Sequence, residues 1–514
     1  MPNSARGSLG SSTPSGVLPG VRCGVVSWLV PPGLADEVAA QARAESLEAA
    51  ALQGRELPRR RDRLLPARLG VYFVLGLCLY SRLPYGQVMA ELSGGLGRAL
   101  AAAGWPAPAA TALTGLRRRL GERPFELLFW RVAGTLSPGR DPWSLVCGLL
   151  AVAWDGTTLK VPASPENAAC FGRPGSRRKN GQGTGKGHYP QARLVALVAC
   201  GTRALIGAAV GPLGTGERKL AQGLAGCLRP GMLLLADRGF YGWDLWNTAA
   251  GTGAHLLWRV QGGLHLPAVR ELPDGSWLTR IDDPAAVRRR TRKNGERRRR
   301  GSRLPPDTGP LRGAVTARVI QFAVTVTCDD GTVRTERYRM ITTLLDHRAA
   351  PARDLAEGYA RRWAAETAFR ELKTYLRGPG RILRSRTPDL ARQEIWACLV
   401  TYQAVRAVIA LAAARAGTDP QRASFTTALH AARSPAGLAA AEAAILASPV
   451  PDRSGRVCPR AVTEPASPFP SRHNQKQPVS QHAAYTLTIT APGHPTRKPP
   501  QQPKQPQTRE TAPP

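Results

Sequence analysis

Between residues 144 and 260 the chain carries a series of short, nearly continuous apolar runs, and their order limits the folds available to it. Each run has the length and the apolar character of a buried strand. The predicted strands are residues 144–154, 192–200, 204–210, 232–236 and 255–260. Helical segments at residues 217–228 and 243–250 connect the later strands, so the order predicts a mixed sheet with crossover helices.

This order, a strand, a hairpin and then alternating helices and strands, is that of a ribonuclease-H-like core, so the predicted fold class is α/β. Changes of sequence texture divide the rest of the chain, and its two ends hold too few large apolar residues to stay ordered. The predicted segments are disordered residues 1–20, a helical N-terminal domain at 21–140, the first part of the core at 141–260, a β-rich insertion at 261–350, a helical part that completes the core at 351–447, and a Pro-rich disordered tail at 448–514.

The balance of charge points to a polyanionic partner. The chain has 71 Lys and Arg residues against 36 Asp and Glu residues, which gives a formal net charge of +35. Arginine supplies 62 of these cations, and its planar guanidinium matches pairs of phosphate oxygens. A bias toward arginine codons explains part of this excess but not the scarcity of acids. The charge argues against an ordinary small-molecule metabolic enzyme and for nucleic acid as the partner.

The cysteines and the apolar segments bear on location. The nine cysteines are scattered, without a Cys-x-x-Cys pair or histidines at zinc spacing, which is typical of reduced core thiols. The longest apolar run, residues 69–80, is too short to span a bilayer, and no signal peptide is evident. We therefore expect a cytoplasmic protein without a membrane partner.

Two acidic residues close predicted strands in a chain where acids are scarce. Asp155 ends the first apolar run, and Asp237 ends the run at residues 232–236. If the two strands are neighbours, both carboxylates emerge at the same sheet edge, where their oxygens can hold Mg²⁺. The alternative is structural, because an Asp at a strand end is also an ordinary turn former or helix cap.

A third acid, Glu366, lies in a predicted helix that carries a regular stripe. Tyr359, Glu366 and Lys373 follow one another at intervals of seven residues, nearly two helical turns, and Arg362 precedes the glutamate by one turn. The alternative is a salt-bridged surface helix, although such a helix does not need the tyrosine. Three separated carboxylates in a strongly basic chain suit phosphoryl transfer by two Mg²⁺ ions, which activate the attacking oxygen and stabilise the leaving oxygen.

This spacing of Tyr, Arg, Glu and Lys resembles the signature of DDE transposases of the insertion-sequence-four type. Three further pieces are similar to motifs of that family, namely residues 155–158 (Asp-Gly-Thr-Thr), 237–240 (Asp-Arg-Gly-Phe) and 383–388 (Leu-Arg-Ser-Arg-Thr-Pro). The resemblance covers roughly residues 60–410, with a β-rich insertion between the second Asp and the Glu. It implies a DNA transposase that moves an insertion sequence by cut-and-paste.

The resemblance also implies roles for individual residues. Asp155, Asp237 and Glu366 would be the catalytic and metal-binding triad for two Mg²⁺ ions, for which Mn²⁺ can substitute. The residues expected to contact DNA phosphates near the element end are Tyr359, Arg362 and Lys373. The implied partners are the terminal inverted repeats and the target DNA, bound by a homodimer in a synaptic complex. In the hairpin pathway of this family a Trp of the insertion stacks on a flipped base, and Trp258 and Trp277 are both candidates.

Two other basic segments are candidate DNA contacts. Arg117 and Arg118 lie on a short predicted helix of the N-terminal domain, which either enters a DNA groove or presents a solvated charged face. The dense basic run at residues 288–300 is a predicted loop of the insertion, and its charge would release counterions on DNA binding. The candidate residues in that loop are Arg288, Arg289, Arg298 and Arg299. A solvated disordered loop is the alternative.

Two other functions are compatible with the same residues. One is a metal-dependent nuclease on the same core that hydrolyses DNA without joining it, and the other is a non-catalytic DNA-binding relic of a transposase. The signature spacing favours the transposase over the nuclease, and the three intact acids argue against the relic. The glycine-rich residues 181–187 lack the first Gly and the Ser or Thr of a phosphate-binding loop, so they do not predict nucleotide triphosphate binding.

Overall fold

The computed structural model describes residues 26–55, 65–93, 107–134, 136, 141–174, 188–300, 313–434, 437–451, 456–457 and 481–492. The chain divides into two compact units, Met1–Trp258 with Glu357–Arg453 and Arg259–Ala356 with Ser454–Pro514. The residues 1–20 that we predicted to be disordered and the glycine-rich residues 181–187 lie outside the described residues.

The first unit is built on a mixed sheet. Its strands are β1 (Leu145–Val146), β2 (Leu149–Lys160), β3 (Gln191–Ala199), β4 (Leu205–Pro212), β5 (Met232–Ala236) and β6 (His255–Arg259). In the order β4-β3-β2-β5-β6, the neighbours of β3 are antiparallel to it, and β2, β5 and β6 run parallel. The strand β1 pairs with β2. The predicted mixed α/β architecture is confirmed.

One strand is longer than its apolar run. We predicted that the first strand ends at Trp154, but β2 continues through Asp155 to Lys160. The extension is possible because residues 155–160 still pair with β3, from Asp155 opposite Ala196 to Lys160 opposite Gln191, although β5 has already ended. Asp155 therefore lies within a strand, at the level where the neighbouring strand stops.

Helices precede the strands of this sheet along the chain and also lie between them. Those before it are α1 (Val26–Leu29), α2 (Pro32–Leu52), α3 (Ala67–Leu79), α4 (Tyr85–Ser93), α5 (Ala110–Leu120) and α6 (Arg123–Val132). Those between its strands are α7 (Pro165–Phe171), α8 (Glu217–Gly223) and α9 (Trp243–Ala250). The predicted helix at residues 217–228 is shorter than expected, because α8 ends at Gly223 and a 3₁₀ turn at Ala225–Cys227 follows.

The helical part after residue 351 contains the longest described helix. Its helices are α11 (Ala352–Gly358), α12 (Trp363–Arg370), α13 (Pro388–Ala416), α14 (Phe425–Arg433) and α15 (Gly437–Ala447), with 3₁₀ turns at Pro142–Ser144, Tyr359–Arg362 and Pro420–Arg422 elsewhere in the unit. By length and composition α13 passes as a membrane span, yet 94% of its most apolar window is buried. It packs against α3 and α6, so its apolar surface is that of a core helix.

The second unit contains the β-rich insertion and a stretch of the tail. Its described elements are β7 (Arg270–Glu271), β8 (Trp277–Ile281), α10 (Pro284–Arg299), β9 (Val315–Cys328), β10 (Val333–Thr342), β11 (Arg456–Val457) and β12 (Gln481–Ile489). The long strand β9 pairs with β10 on one side. Its other side pairs first with β8 and then, from Phe322 onward, with β12. Four strands, β7 to β10, therefore lie within residues 261–350 among the described residues.

Two predictions about this unit are wrong. The tail at residues 448–514 was predicted to be disordered, and this is wrong for residues 481–489, where β12 pairs antiparallel with β9 from Ala483 to Ile489, while most of the remaining tail lies outside the described residues. The basic run at residues 288–300 was predicted to be a loop, yet nearly all of it forms α10. Asp283 explains the start of that helix, because its side chain accepts a hydrogen bond from the backbone N–H of Ala285 at 2.8 Å and Pro284 occupies the first turn.

Candidate active site

The two strand aspartates lie side by side because of the register of β2 and β5. Ala153 pairs with Leu235 in this parallel pair. Asp155 and Asp237 are each two residues further along the chain, so they stand at the same level and on the same side of the sheet. The sequence predicted this juxtaposition from the two apolar runs, and the register supplies it.

The Asp155 carboxylate is largely buried, and its pKa is raised. Its Oδ1 accepts a hydrogen bond from the backbone N–H of Gly156 at 2.9 Å. Burial raises the pKa of Asp155 to about 6, the negative charges of Glu366 and Glu217 add to the rise, and the Gly156 N–H and the charge of Arg362 oppose it. The helix α12, which carries Glu366, and the 3₁₀ turn that carries Arg362 both pack against β2.

The segment that carries Glu366 is not the single α-helix that we predicted. It begins as a 3₁₀ turn (Tyr359–Arg362), continues as α12, and ends as a π-helical turn (Glu371–Leu376). A buried tyrosine ties its start to the sheet, because the hydroxyl of Tyr359 donates to the carbonyl oxygen of Ala236 at 3.2 Å. That carbonyl belongs to the residue just before Asp237, so the segment is anchored beside the second aspartate.

Arg362 and Glu366 form an ion pair within this segment. An Nη2 to Oε1 distance of 2.9 Å joins them, with Arg362 buried and Glu366 partly exposed. The Arg362 guanidinium also lies over the ring of Trp363, 5.2 Å from its centroid. Burial acts to lower the pKa of Arg362, but Tyr359, Glu366 and Asp237 together raise it above its usual value. Arg362 therefore stands among the negative groups of the site as their cation.

Lys373 reaches the same strand from the π-helical turn. Its Nζ donates to Oγ1 of Thr157 at 3.0 Å. Thr157 is two residues beyond Asp155 on β2 and so faces the same side of the sheet. Burial lowers the pKa of Lys373, and the charges of Arg377 and Lys160 lower it further. The ammonium group is thus held near the aspartates in an environment that already contains excess positive charge.

The donor set suits a divalent metal ion in kind. Asp155, Asp237 and Glu366 offer carboxylate oxygens, the ligands that Mg²⁺ and Mn²⁺ accept. The raised pKa of Asp155 reflects mainly its burial and, to a smaller extent, the nearby acids, and a bound cation would stabilise its charged form. Within the described part of the chain, no three His, Cys, Asp or Glu side chains lie close enough together to hold one ion, and this includes the three acids named above. The Glu366 carboxylate is turned to Arg362 in this conformation.

The predicted DNA contacts fall into two groups. Arg117 is 3% exposed, and its guanidinium donates to Gln393 at 3.0 Å and to Ser385 at 2.8 Å. The prediction that it contacts DNA is therefore wrong, since an internal polar network uses the side chain. Arg118, the next residue, is exposed. The other exposed candidates are four of the arginines of α10, namely Arg288, Arg289, Arg298 and Arg299.

Both candidate base-stacking tryptophans are enclosed. Trp258 is fully buried in β6, with its ring centroid 5.8 Å from that of Trp154 and 5.2 Å from that of Trp246. Trp277 is 3% exposed, and its Nε1 donates to the carbonyl oxygen of Leu266 at 3.2 Å. Trp277 lines a cavity of about 630 Å³ in the second unit, whereas Trp258 belongs to the core of the sheet. Both side chains are therefore buried in this conformation.

Sequence reasoning missed two residues beside the aspartates. Glu217, at the start of α8, lies so close to Gly156 that a Cβ there would stand 2.7 Å from its Cδ. Thr157 receives the hydrogen bond of Lys373. Both Gly156 and Thr157 belong to the Asp-Gly-Thr-Thr motif, so the motif itself held the signal. Its glycine leaves room for Glu217, and its first threonine is a hydrogen-bond partner.

Two family models match the chain, and together they cover more than two thirds of it. Residues 30–130 match "Insertion element 4 transposase N-terminal", and residues 148–403 match "Transposase DDE domain". The chain belongs to the DDE transposases of the insertion-sequence-four family. The resemblance predicted from the signature residues is confirmed, and the protein is a DDE-type transposase of an insertion sequence.

Individual relatives agree with this family. The transposase InsG for insertion sequence element IS4 of Escherichia coli (strain K12) is 27% identical over 372 residues, which are 71% of this chain and 75% of the relative. The putative transposase InsZ of the same organism is 31% identical over 153 residues, which are 29% of this chain and 48% of that relative. Among solved structures, a piggyBac transposase synaptic complex with hairpin DNA aligns with 83% of this chain and 85% of that chain, at 10% identity and a TM-score of 0.36.

Proposed function

We propose that this transposase cleaves DNA at the terminal inverted repeats of its insertion sequence and joins the freed ends to target DNA, with Asp155, Asp237 and Glu366 as its catalytic triad. The register of β2 and β5 carries this proposal, because it aligns the two aspartates on one side of the sheet. The Tyr359 hydrogen bond supports the third member, since it anchors the Glu366 segment beside Asp237. We take the sheet as a ribonuclease-H-like core.

The triad would hold two Mg²⁺ ions, with Mn²⁺ as a substitute. When bound, such ions activate the attacking oxygen and stabilise the leaving 3′ oxygen. Among the chain's own residues, burial and neighbouring acids keep Asp155 at the edge of protonation near pH 6. Its carboxylate therefore gains more from a cation than an exposed aspartate would. Without metal, Glu366 is paired with Arg362, and Glu366 would leave this ion pair when it binds a metal ion.

The basic residues of the same segment would grip the DNA backbone. Arg362 and Lys373 lie on the same segment as Glu366, so we assign both to DNA phosphates near the reacting one, with Arg362 becoming available when its ion pair with Glu366 opens. Tyr359 was predicted to contact phosphate as well, but it is buried and its hydroxyl is used on Ala236, so we assign it an anchoring role instead. Arg118 and the exposed arginines of α10 would add contacts that release counterions.

The assembly we propose is a homodimer in a synaptic complex, acting on DNA in the cytoplasm. Joining two element ends requires two sites held together, which a pair of chains provides. In this assembly, the phosphate contacts of each chain would position one element end, and the two ends would be held close together.

The test replaces each strand aspartate. Asp155→Ala and Asp237→Ala should abolish Mg²⁺-dependent cleavage of DNA that carries the element ends, while the affinity for those ends is kept, because a metal ligand is lost and the cationic surface is not. Asp244→Ala, an exposed aspartate in the first turn of α9, is the matched control and should cleave normally. Retained cleavage by either active-site variant would refute the triad. Cleavage without joining to target DNA would favour a nuclease on the same core.

A further inference from the structure

A buried cluster of charges lies behind the π-helical turn of the active-site segment. Glu371, the first residue of that turn, is 3% exposed. Its carboxylate pairs with Arg203 at 2.9 Å and accepts a hydrogen bond from the hydroxyl of Tyr402 at 3.0 Å. Arg406 approaches the same carboxylate at 3.8 Å. The cluster brings together the loop after β3, the helix α13 and the active-site segment.

The charges of this cluster do not balance. One carboxylate faces two guanidinium groups, and the side chain of Arg406 has no exposed surface. Within the described structure Nη1 and Nη2 of Arg406 have no hydrogen-bond partner, whereas its Nε donates to the carbonyl oxygen of Thr202 at 2.9 Å. Burying charges with incomplete pairing is costly, so an apolar cluster of the same volume would be at least as stable. The cluster is better explained by the geometry that it fixes.

The geometry at stake is that of the π-helical turn. The backbone N–H of Arg377 donates to the carbonyl oxygen of Leu372 at 3.2 Å, five residues back, which is the π pattern. Each π-helical residue advances by a smaller angle than an α-helical one, so residues after the start of the turn rotate away from the stripe of Glu366. Glu371 lies at that start, and Lys373 lies two residues into the turn. In this setting Lys373 reaches Thr157 on β2.

We infer that Glu371 is a positioning residue, which with Tyr402, Arg203 and Arg406 holds the π-helical turn so that Lys373 meets the DNA phosphate beside the aspartates. This inference rests on the proposed function of Lys373. Glu371 itself touches no DNA, because it is enclosed on the other side of the segment. Its carboxylate fixes the orientation of the π-helical turn, and this orientation determines where the Lys373 side chain lies relative to β2.

The experiment measures how the affinity for element-end DNA depends on salt concentration. The main variant is Tyr402→Phe, which keeps the ring and removes the hydroxyl that lies 3.0 Å from both the Glu371 carboxylate and the carbonyl oxygen of Arg203. The matched control is Tyr72→Phe, because Tyr72 is also buried and its hydroxyl donates to the Val30 carbonyl in the helical part before the sheet. Lys373→Ala and the double variant of Tyr402→Phe with Lys373→Ala complete a cycle. Glu371→Gln is a stronger variant, used if its thermal unfolding shows that it folds.

We expect Lys373→Ala to lower the slope of log affinity against log salt by about one, the loss of one phosphate contact. Tyr402→Phe should lower the slope in the same direction and slow cleavage by up to about a hundredfold, since a displacement of about 1 Å has such effects. It should change neither property further when Lys373 is already alanine. Tyr72→Phe should leave the slope unchanged even where its loss of thermal stability is equal.

Two results separate the inference from the function on which it rests. If Lys373→Ala leaves the slope unchanged, the proposed phosphate contact of Lys373 fails first. If Lys373→Ala lowers the slope but Tyr402→Phe acts only on thermal stability, or acts equally with and without Lys373, then Glu371 is merely a structural residue and the inference is overturned.

Discussion

Replacing Asp155 with asparagine should make the metal-free protein more stable, although it should also end catalysis. Asparagine has nearly the same shape as aspartate, and its carbonyl oxygen can still accept the hydrogen bond from the N–H of Gly156. It cannot ionise, however. The stability change therefore isolates what the negative charge of this largely buried carboxylate costs the folded state.

The size of the effect follows from the pKa of the carboxyl group. Burial raises it from its ordinary value of 3.8 to about 6 in the folded protein, with smaller contributions from neighbouring acids. Each pH unit between these values corresponds to about 1.4 kcal/mol, so ionised Asp155 costs up to about 3 kcal/mol. The figure is an upper bound, because the carboxylate keeps some exposure and therefore some hydration.

The sign depends on pH. Below the unfolded value the carboxyl group is protonated in both states and costs nothing. Between the unfolded value and about 6 the folded state binds more protons than the unfolded state, so stability falls as pH rises. Above pH 6 the loss is complete. Asp155→Asn should thus match the natural protein near pH 4 and exceed it in free energy of unfolding by up to about 3 kcal/mol near pH 8.

The assay is urea unfolding in a metal chelator, repeated across this pH range, with Asp244→Asn as the exposed control. The control should show no pH-dependent gain. Adding Mg²⁺ should then stabilise the natural protein more than Asp155→Asn, since only the former keeps the charged ligand. If Asp155→Asn is no more stable than the natural protein at pH 8, the carboxylate is not desolvated as described and the reasoning is refuted.

Three further outcomes are expected. Arg362→Ala and Lys373→Ala should each lower the slope of log affinity for element-end DNA against log salt by about one, whereas Glu366→Ala should bind that DNA equally or more tightly without cleaving it. If both cation variants leave the slope unchanged, the segment is only a salt-bridged structural element. Gly156→Ala should lose no more than about 1 kcal/mol of unfolding free energy in urea, because the Glu217 carboxylate that its Cβ would meet is the end of a flexible, partly exposed side chain, and a second change of Glu217 to alanine should remove that loss. Glutamine in place of Arg288, Arg289, Arg298 and Arg299 of α10 should weaken binding to duplex DNA of any sequence about equally, as measured by competition with unrelated duplexes.

The sheet was predictable because each buried strand is a short apolar run that can be recognised from neighbouring residues alone. Apolar runs of strand length, closed by Asp155 and Asp237, predicted two strands and, on the condition that these are neighbours, a shared sheet edge for the two carboxylates. The extension of β2 past Asp155 was not predictable in this way, since residues 155–160 are held mainly by pairing with β3. Apolar periodicity reports burial, and a polar strand that is half-exposed leaves little trace in it.

The active-site segment shows what spacing alone cannot provide. A step of seven residues places Lys373 on the stripe of Glu366 only if the helix is α throughout. The segment is instead 3₁₀, α and π in turn, and its π turn begins at a buried glutamate whose partners lie in the loop after β3 and in α13. Those contacts connect residues up to 168 positions apart, so no local pattern contains them. The signature predicted which residues matter but not how the chain turns between them.

The tail illustrates a different failure. Its composition, averaged over residues 448–514, predicts disorder, because Pro, Gln, Ser and Thr dominate. Within it the sequence from Tyr485 to Thr490 alternates threonine with larger residues, which is a strand pattern, and β12 forms there against β9. The average composition of a long segment conceals a short alternating pattern, so a shorter stretch of sequence predicts the strand that the average over the whole tail does not.

The arginines of this transposase have two different roles, since some are buried in internal hydrogen-bond networks and others are exposed to solvent, and the net charge counts both alike. Arg318 is fully buried in the second unit, where it donates to the carbonyl oxygen of Ala350 at 2.6 Å and to the hydroxyl of Ser276 at 2.8 Å. Arg117 and Arg406 are likewise buried and bonded internally. Such guanidinium groups join distant segments and release no counterions. The salt dependence of DNA binding must therefore come from exposed cations, such as those of α10, and it should be smaller than the formal charge of +35 suggests.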